Sequence, residues 1–295
     1  MLPPKNDLVF RLLFGDVGSK NILSGLLNSI LDMPDDEFEI LSIADPHLLP
    51  DYDGDKLGIL DIKIKTRSGH YLNVEMQVNL VKGLESRIEF YNAKMLVEQM
   101  KSSDEYSTIK RSISILILNN IMFPKSNSYH HCFERYDIKN KVPFPGVTEI
   151  HTLELPKLPN NSDDTVLWEW MYFLSAEKEE DFKMIAEKNN VIKEAVMKLE
   201  VLSKDERARL LYESMEKKRR DDIAREAYIK EQGMQRGMQR GLQKGILDSI
   251  INVMDSLDLP PDQAMDILKI SDDTKPEYEK MIKESKATYD VDSKD

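Results

Sequence analysis

The chain has 295 residues, of which 41% are hydrophobic and 32% charged, and it carries a net charge of −12. That length holds one large domain or a catalytic domain with a smaller appendage, and the composition supplies enough apolar material for a sizeable core. One cysteine, Cys132, excludes an intramolecular disulfide framework, the longest apolar runs are too short to span a bilayer, and no apolar stretch of signal-peptide length precedes the first charges, so a cytoplasmic protein is expected.

Taken in chain order, the first thirty residues read as helix. Val9, Phe10, Leu13 and Phe14 make one apolar face, Gly15 to Gly18 break it, and Ser19 is placed to cap a second helix. In that second helix Ile22, Leu23, Leu26, Leu27, Ile30 and Leu31 recur at helical spacing. A short alternating stretch follows with Phe38, Ile40 and Ile43, and then a loop from Asp45 to Asp55 with two prolines and four aspartates.

Residues 57–80 form the clearest hairpin. Leu60, Ile62 and Ile64 alternate with Asp61, Lys63 and Lys65; after Arg67-Ser68-Gly69, Leu72, Val74, Met76 and Val78 alternate with Tyr71, Asn73, Glu75 and Gln77. Both apolar faces must point into the core, which requires an odd, three-residue turn centred on Ser68, with Gly69 free to take positive φ. Such a turn pairs residues whose numbers sum to 136 and sets Asp61 opposite Glu75. A helix with Leu84, Ile88, Tyr91 and Met95 on one face comes next, then a buried central strand at Ile113 to Leu118 and a further strand near Glu149 to Leu155. The order helix, strand, strand, strand, helix, strand belongs to the α/β or α+β layers.

From about Thr165 the pattern is helical, in pieces at Trp168 to Leu174, Asp181 to Lys188 and Ile192 to Leu199. A long helix is opened by the capping box Ser203-Lys204-Asp205-Glu206 and runs to about Ile246. Ser256 to Pro261 is a break, and a short helix from Asp262 to Leu268 precedes a polar tail expected to fray.

The hairpin is where chemistry concentrates. Two carboxylates facing each other across a ladder repel, and protonation, a neighbouring Lys or a divalent cation must offset that. Mg²⁺ takes hard oxygen ligands and is commonly held by one or two carboxylates, waters and substrate phosphate. Gln77 shares the face of Glu75 and is placed to orient a water or to donate to a phosphate oxygen; Lys63 and Lys65 are placed to contact phosphate. Taken alone, an Asp and a Glu on the polar face of a hairpin are more often simply solvated or paired with such lysines.

Other segments accompany the hairpin. Lys5-Asn6-Asp7-Leu8-Val9-Phe10-Arg11 opens the chain, Ile59-Leu60-Asp61-Ile62-Lys63 precedes Leu72-Asn73-Val74-Glu75-Met76-Gln77, Arg87, Tyr91 and Glu98-Gln99 follow, then Ser112-Ile113-Ser114-Ile115 and His151 to Leu158. In this order and spacing they resemble the recombination-promoting nuclease/putative transposase family of PD-(D/E)XK enzymes over most of residues 1 to about 230. The resemblance implies a restriction-endonuclease-like α/β core (αβββαβ), hydrolysis of DNA phosphodiesters, a role in recombination or transposition, and Mg²⁺ as cofactor, with Mn²⁺ as a substitute. It matches Asp61 to the metal-binding Asp and Glu75 to the acidic residue of the (D/E)XK element, with Gln77 standing where the broader superfamily has Lys. Asp7 and Arg87 are second-tier site residues beside Lys63: Asp7 to complete the acidic site, Arg87 to hold a phosphate with its fork of donors. The alternative is a catalytically inactive relative that keeps the fold as a DNA-binding or protein-interaction module.

Three signals lie outside that site. From Lys217 to Lys244 there are nine Lys/Arg against four Asp/Glu, and from Asp248 to Asp295 six against thirteen, a basic strip before an acidic tail that is compatible with nucleic acid without demanding it. Gly233, Gly237, Gly241 and Gly245 recur with a period of four and favour homo-oligomer formation through the C-terminal helix, with a flexible linker as the alternative, since each helical glycine costs up to ~1 kcal/mol. His130-His131-Cys132 cannot all face one ion from a strand, and no second cluster stands at a spacing known for zinc, so they read as packing residues. Trp168, Trp170, Tyr172 and Phe173 read as core anchors. The expected organisation is a nuclease-like core over 1–160, a helical extension packed on it over 161–202, a long helix with the glycine repeat over 203–247 and a small acidic helical tail over 248–295, with DNA as partner and no membrane.

Overall fold

The computed structural model describes residues 1–31, 40–43 and 62–292. Phe38, the loop 45–55 and Asp61 lie outside the described residues. Helix α1 (Asp7–Phe14) starts at Asn6, whose side chain accepts from the amides of Leu8 and Val9. Helix α2 (Lys20–Leu31) follows a single 3-10 turn capped by Asp16 rather than by Ser19. The Ser19 hydroxyl is buried and donates to the Leu13 carbonyl at 2.7 Å, so it ties the two helices together instead of capping one.

Strands β1 (Ile40–Ile43), β2 (Ile62–Thr66) and β3 (Tyr71–Gln77) are antiparallel neighbours. The β2–β3 register runs from Ile62 opposite Val74 to Lys65 opposite Tyr71, the pairing that the odd turn requires. Gly69 sits at φ +91, and its amide donates to the Thr66 carbonyl at 3.0 Å. Helix α3 (Leu84–Val97) then crosses over to β4 (Ser112–Leu118), which lies parallel to β3. Strand β5 (His130–Phe133) and a separate ribbon of β6 (Tyr136–Asp137) and β7 (Val142–Pro143) come before β8 (Thr148–Glu154), parallel to β4. The six-stranded sheet has the order β1-β2-β3-β4-β8-β5, with β4 buried at every position and β5 antiparallel at one edge. This is the expected α/β, restriction-endonuclease-like architecture.

The two faces of the sheet differ. On one, Ile62, Ile64, Leu72, Val74, Met76, Ile113, Ile115, Ile117 and Leu153 join a single core with α1, α2, α4 (Val166–Ser175), α5 (Glu179–Lys188) and α6 (Asn190–Lys204). Trp168, Trp170 and Phe173 are anchors of that core, as their spacing predicts. Gly25 is required where α2 meets α4 and α6, because a Cβ there would stand 2.8 Å from Val191 Cγ1 and 3.1 Å from the Trp170 ring. The other face is covered by α3, through Leu84 and Ile88 on Leu116 and Leu118. Tyr91, expected on the buried face of α3, is only half-buried; Asn92 takes that place and donates to Ser114 Oγ and to the Glu149 carbonyl, each at 3.0 Å.

Helix α7 (Glu206–Leu257) is opened by Asp205, whose carboxylate accepts from the Ala208 amide at 2.7 Å. Ser203, expected as its cap, is inside the last turn of α6, where it accepts from the Leu2 amide and donates to the Leu199 carbonyl. The helix continues eleven residues beyond the expected end at Ile246 because Ile250 and Met254 pack in a small core with Ala264 and Met265 of α8 (Pro261–Ile267) and Tyr278 and Ile282 of α9 (Lys275–Asp292). The tail expected to fray is therefore helical through Asp292. By internal contacts the chain divides into two compact units, Met1–Ser214 and Met215–Asp295. Among the described residues no helix is long and apolar enough to cross a membrane.

Candidate active site

Strand alternation puts Asn73, Glu75 and Gln77 on the face covered by α3. Asn73 and Glu75 are buried there, at 6% and 8% exposure. Glu75 is bound by Arg87 of α3, whose Nη2 donates to Glu75 Oε1 at 2.5 Å and to Gln77 Oε1 at 2.8 Å. Gln77 Nε2 donates onward to the Asn79 carbonyl at 2.5 Å, so both ends of its amide are held. One guanidinium nitrogen thus fixes a carboxylate and an amide oxygen together, a charge-assisted arrangement in a setting that excludes most water.

The sequence places Arg87 at this point for a local reason. Gly83 takes φ +81 at the N-cap of α3, and the Arg87 amide donates to the Gly83 carbonyl at 3.0 Å, so Arg87 projects from the first turn. The helix is then locked to the sheet from its other end. Asn92 joins it to β4 and β8, and just beyond it Gln99 Nε2 donates to the Lys110 carbonyl at 3.1 Å and to Ser112 Oγ at 2.9 Å.

The remaining expected site residues are placed as follows. Lys63 is exposed and stands opposite Asn73, on the same face as Glu75. Asp7 opens α1, where its carboxylate accepts from the Leu8 amide at 2.9 Å; the apolar side of that helix covers the opposite face of the sheet. The structure therefore brings Glu75, Gln77 and Arg87 into contact, sets Lys63 on the same face one pair along from Val74, and puts Asp7 at the start of a helix of the other layer.

Asn73 was overlooked as a site residue by sequence reasoning. Its Oδ1 is buried and finds no hydrogen-bond partner among the described residues, two positions from Glu75 on the same face. An amide oxygen and a carboxylate on one face are oxygen donors of the kind a small, hard divalent cation takes. The alternation of polar residues in Asn73-Val74-Glu75-Met76-Gln77 was the available signal. Glu154, on the same face of β8, is fully buried but already satisfied: it accepts from the Met122 and Phe123 amides and pairs with Lys157. Burial raises its pKa, but the Lys157 and amide hydrogen bonds outweigh this and hold it below the ordinary value.

Compared with known proteins, residues 4–228 match the model of the PD-(D/E)XK nuclease family transposases. Neither the curated proteins nor the solved structures give a match.

Proposed function

The chain belongs to the PD-(D/E)XK nuclease family transposases, and from that premise we propose that it is a metal-dependent DNA endonuclease that hydrolyses phosphodiesters in recombination or transposition. The observation that carries this reading is the buried Glu75 carboxylate, held with Gln77 by Arg87 on the same face as Asn73. Asp61, which the sequence sets opposite Glu75, would share Mg²⁺ with it, and Mn²⁺ would substitute. When bound, the ion polarises the scissile phosphate and makes a water more acidic.

The chain's own residues orient and bind. Arg87 keeps the Glu75 carboxylate and the Gln77 amide in fixed relation, and it supplies a positive charge close to where the superfamily carries Lys. Gln77 positions the attacking water or a phosphate oxygen, and exposed Lys63 contacts the DNA backbone. A second copy joined through α7 belongs to the same reading, since a double-strand break needs two sites. A Cβ added at Gly233, Gly237, Gly241 or Gly245 would meet nothing within 4 Å, which leaves those positions clear for a partner helix. A single monomeric mass at all concentrations in sedimentation equilibrium would remove that part.

The test is incubation of purified protein with supercoiled and linear DNA, with Mg²⁺ or EDTA, beside Glu75→Ala. Nicking or linearisation that needs Mg²⁺ and disappears in the variant supports the reading; equal cleavage by the variant defeats the assignment of Glu75. One observation favours the inactive relative: Arg87 neutralises Glu75 at 2.5 Å, in competition with a cation. Salt-dependent DNA binding with no cleavage in Mg²⁺ or Mn²⁺ would establish that alternative.

A further inference from the structure

On the face of the sheet opposite Glu75, the apolar core gives way to a polar cluster at the β8–β5 edge. Glu149 and His151 are two apart on β8 and so share a side, and the β5 register sets Cys132 directly across from His151. His151 is 3% and Glu149 6% exposed, while Cys132 is exposed. His151 Nε2 lies 2.6 Å from Glu149 Oε1 and 3.8 Å from Cys132 Sγ, and Cys132 Sγ lies 3.6 Å from Glu149 Oε1.

We propose that Cys132, Glu149 and His151 form a zinc-binding site, separate in position and in donor chemistry from the nuclease centre. Tetrahedral zinc, with bonds of about 2.0–2.3 Å, sets its ligand atoms about 3.3–3.6 Å apart. Two of the three separations are already near that range, and a small turn of the Glu149 carboxylate opens the third. A thiolate and an imidazole select zinc over magnesium, which prefers oxygen alone. The thiolate and carboxylate together carry two negative charges, which balance the ion.

The surroundings hold the ligands as zinc sites require. Arg111 pairs with the other oxygen of Glu149 and leaves Oε1 to face the cluster. His130 Nε2 lies 2.9 Å from His151 Nδ1, where it accepts the Nδ1 proton once Nε2 is committed to the metal. His131 points to the opposite face and bonds Ser126 Oγ at 2.7 Å, so the adjacent histidines do different work.

A reactive thiol is the competing reading, and the geometry opposes it. Glu149 and Cys132 both address His151 Nε2, so no relay runs from carboxylate through imidazole to thiol. Zinc binding forms the Zn–S bond and releases the thiol proton to solvent. With three protein ligands and an exposed Cys132, the fourth position faces water. The ion ties the edge strand β5 to β8.

The test is titration of tag-free, metal-stripped full chain with Zn²⁺ and with Co²⁺. One equivalent of zinc is expected, with a rise in melting temperature that excess Mg²⁺ does not reproduce. Co²⁺ is expected to give a thiolate-to-metal charge-transfer band. Cys132→Ser, at an exposed position, should abolish that band and weaken zinc by on the order of 100-fold or more, while Glu75→Gln keeps both. No zinc uptake, a cobalt complex without the thiolate band, or a Cys132→Ser protein that binds zinc as tightly as the parent would each overturn the site. None of these readouts depends on DNA cleavage, so the site fails or stands independently of the nuclease reading.

Discussion

The two faces of the central sheet are built on different principles. One is closed by five helices that share a single apolar core with Ile62, Ile64, Val74 and Ile115. The other is covered by α3, where a small apolar cluster joins Leu84 and Ile88 to Leu116 and Leu118 with Met122 and Ile150 beside them, and Asn73, Glu75 and Gln77 share that face. The first face is where the fold gains its stability, because burial stabilises in proportion to apolar area. The second holds a buried carboxylate against α3, an arrangement that costs stability unless the charge is met by a donor such as Arg87. The division separates what keeps the chain folded from the polar residues of the candidate site.

Substitution should expose that division most strongly in stability. Ile115 is fully buried on the central strand, and Ile115→Ala should cost about 4 kcal/mol in urea unfolding, against about 2 kcal/mol for Ile88→Ala on α3. Equal costs would show that α3 supports the fold as much as the larger layer does. The next effect is on activity. Removing the Arg87 side chain takes away charge-assisted bonds to both Glu75 and Gln77, and Arg87→Ala should lower the rate of plasmid cleavage about 100-fold, the equivalent of ~2.7 kcal/mol. Faster cleavage by this variant would mean that Arg87 blocks the carboxylate instead of orienting it, and would reverse its assigned role.

The same contrast explains what the sequence disclosed. Elements of the large core were legible because their apolar periods are strong: α1, α2, the hairpin and β4 stand where the spacing of Phe10, Leu23, Ile64 and Ile115 puts them. The hairpin register was legible because a one-residue slip would turn Ile62 and Ile64 out of the core. Helix α9 was not, because Tyr278 and Ile282 are sparse among charges and find partners only when α7 and α8 supply them. Asn92 was missed because a buried polar residue breaks the apolar pattern, and its reason is the bonds to Ser114 and Glu149 on other strands. Cys132 looked isolated because its neighbours Glu149 and His151 arrive from a strand seventeen and nineteen residues away. The candidate site was half legible: alternation put Glu75 and Gln77 on one face, but nothing local says that Arg87 spans both.

A smaller effect separates a structural carboxylate from that of the candidate site on the α3-covered face. Glu154 accepts from two amides and pairs with Lys157, so Glu154→Gln should cost about 2 kcal/mol at neutral pH and leave cleavage per folded molecule unchanged. Its folded pKa lies below the ordinary 4.5, so this stabilisation is present above that value and is lost as the pH falls through the folded pKa. The stability gap between parent and variant, followed by chemical denaturation, should therefore narrow below pH 4.5. A gap that stays constant into acid would show that folding does not move the Glu154 pKa, and one that widens there would show that Glu154 is protonated in the folded chain.

The smallest effect tests the turn that brings the carboxylate strand into register. Gly69 adopts φ +91, and an added Cβ would stand 3.2 Å from Lys110 Cγ, the flexible side chain of a neighbouring loop. Lys110 can yield, so the cost comes from the backbone, and Gly69→Ala should lose about 1 kcal/mol. Because the β2–β3 pairing is fixed independently by the buried Ile62, Ile64, Leu72 and Val74, the register should survive and cleavage should be retained. A loss of cleavage out of proportion to the loss of stability would show that the turn, and not the apolar face, sets the register at Glu75.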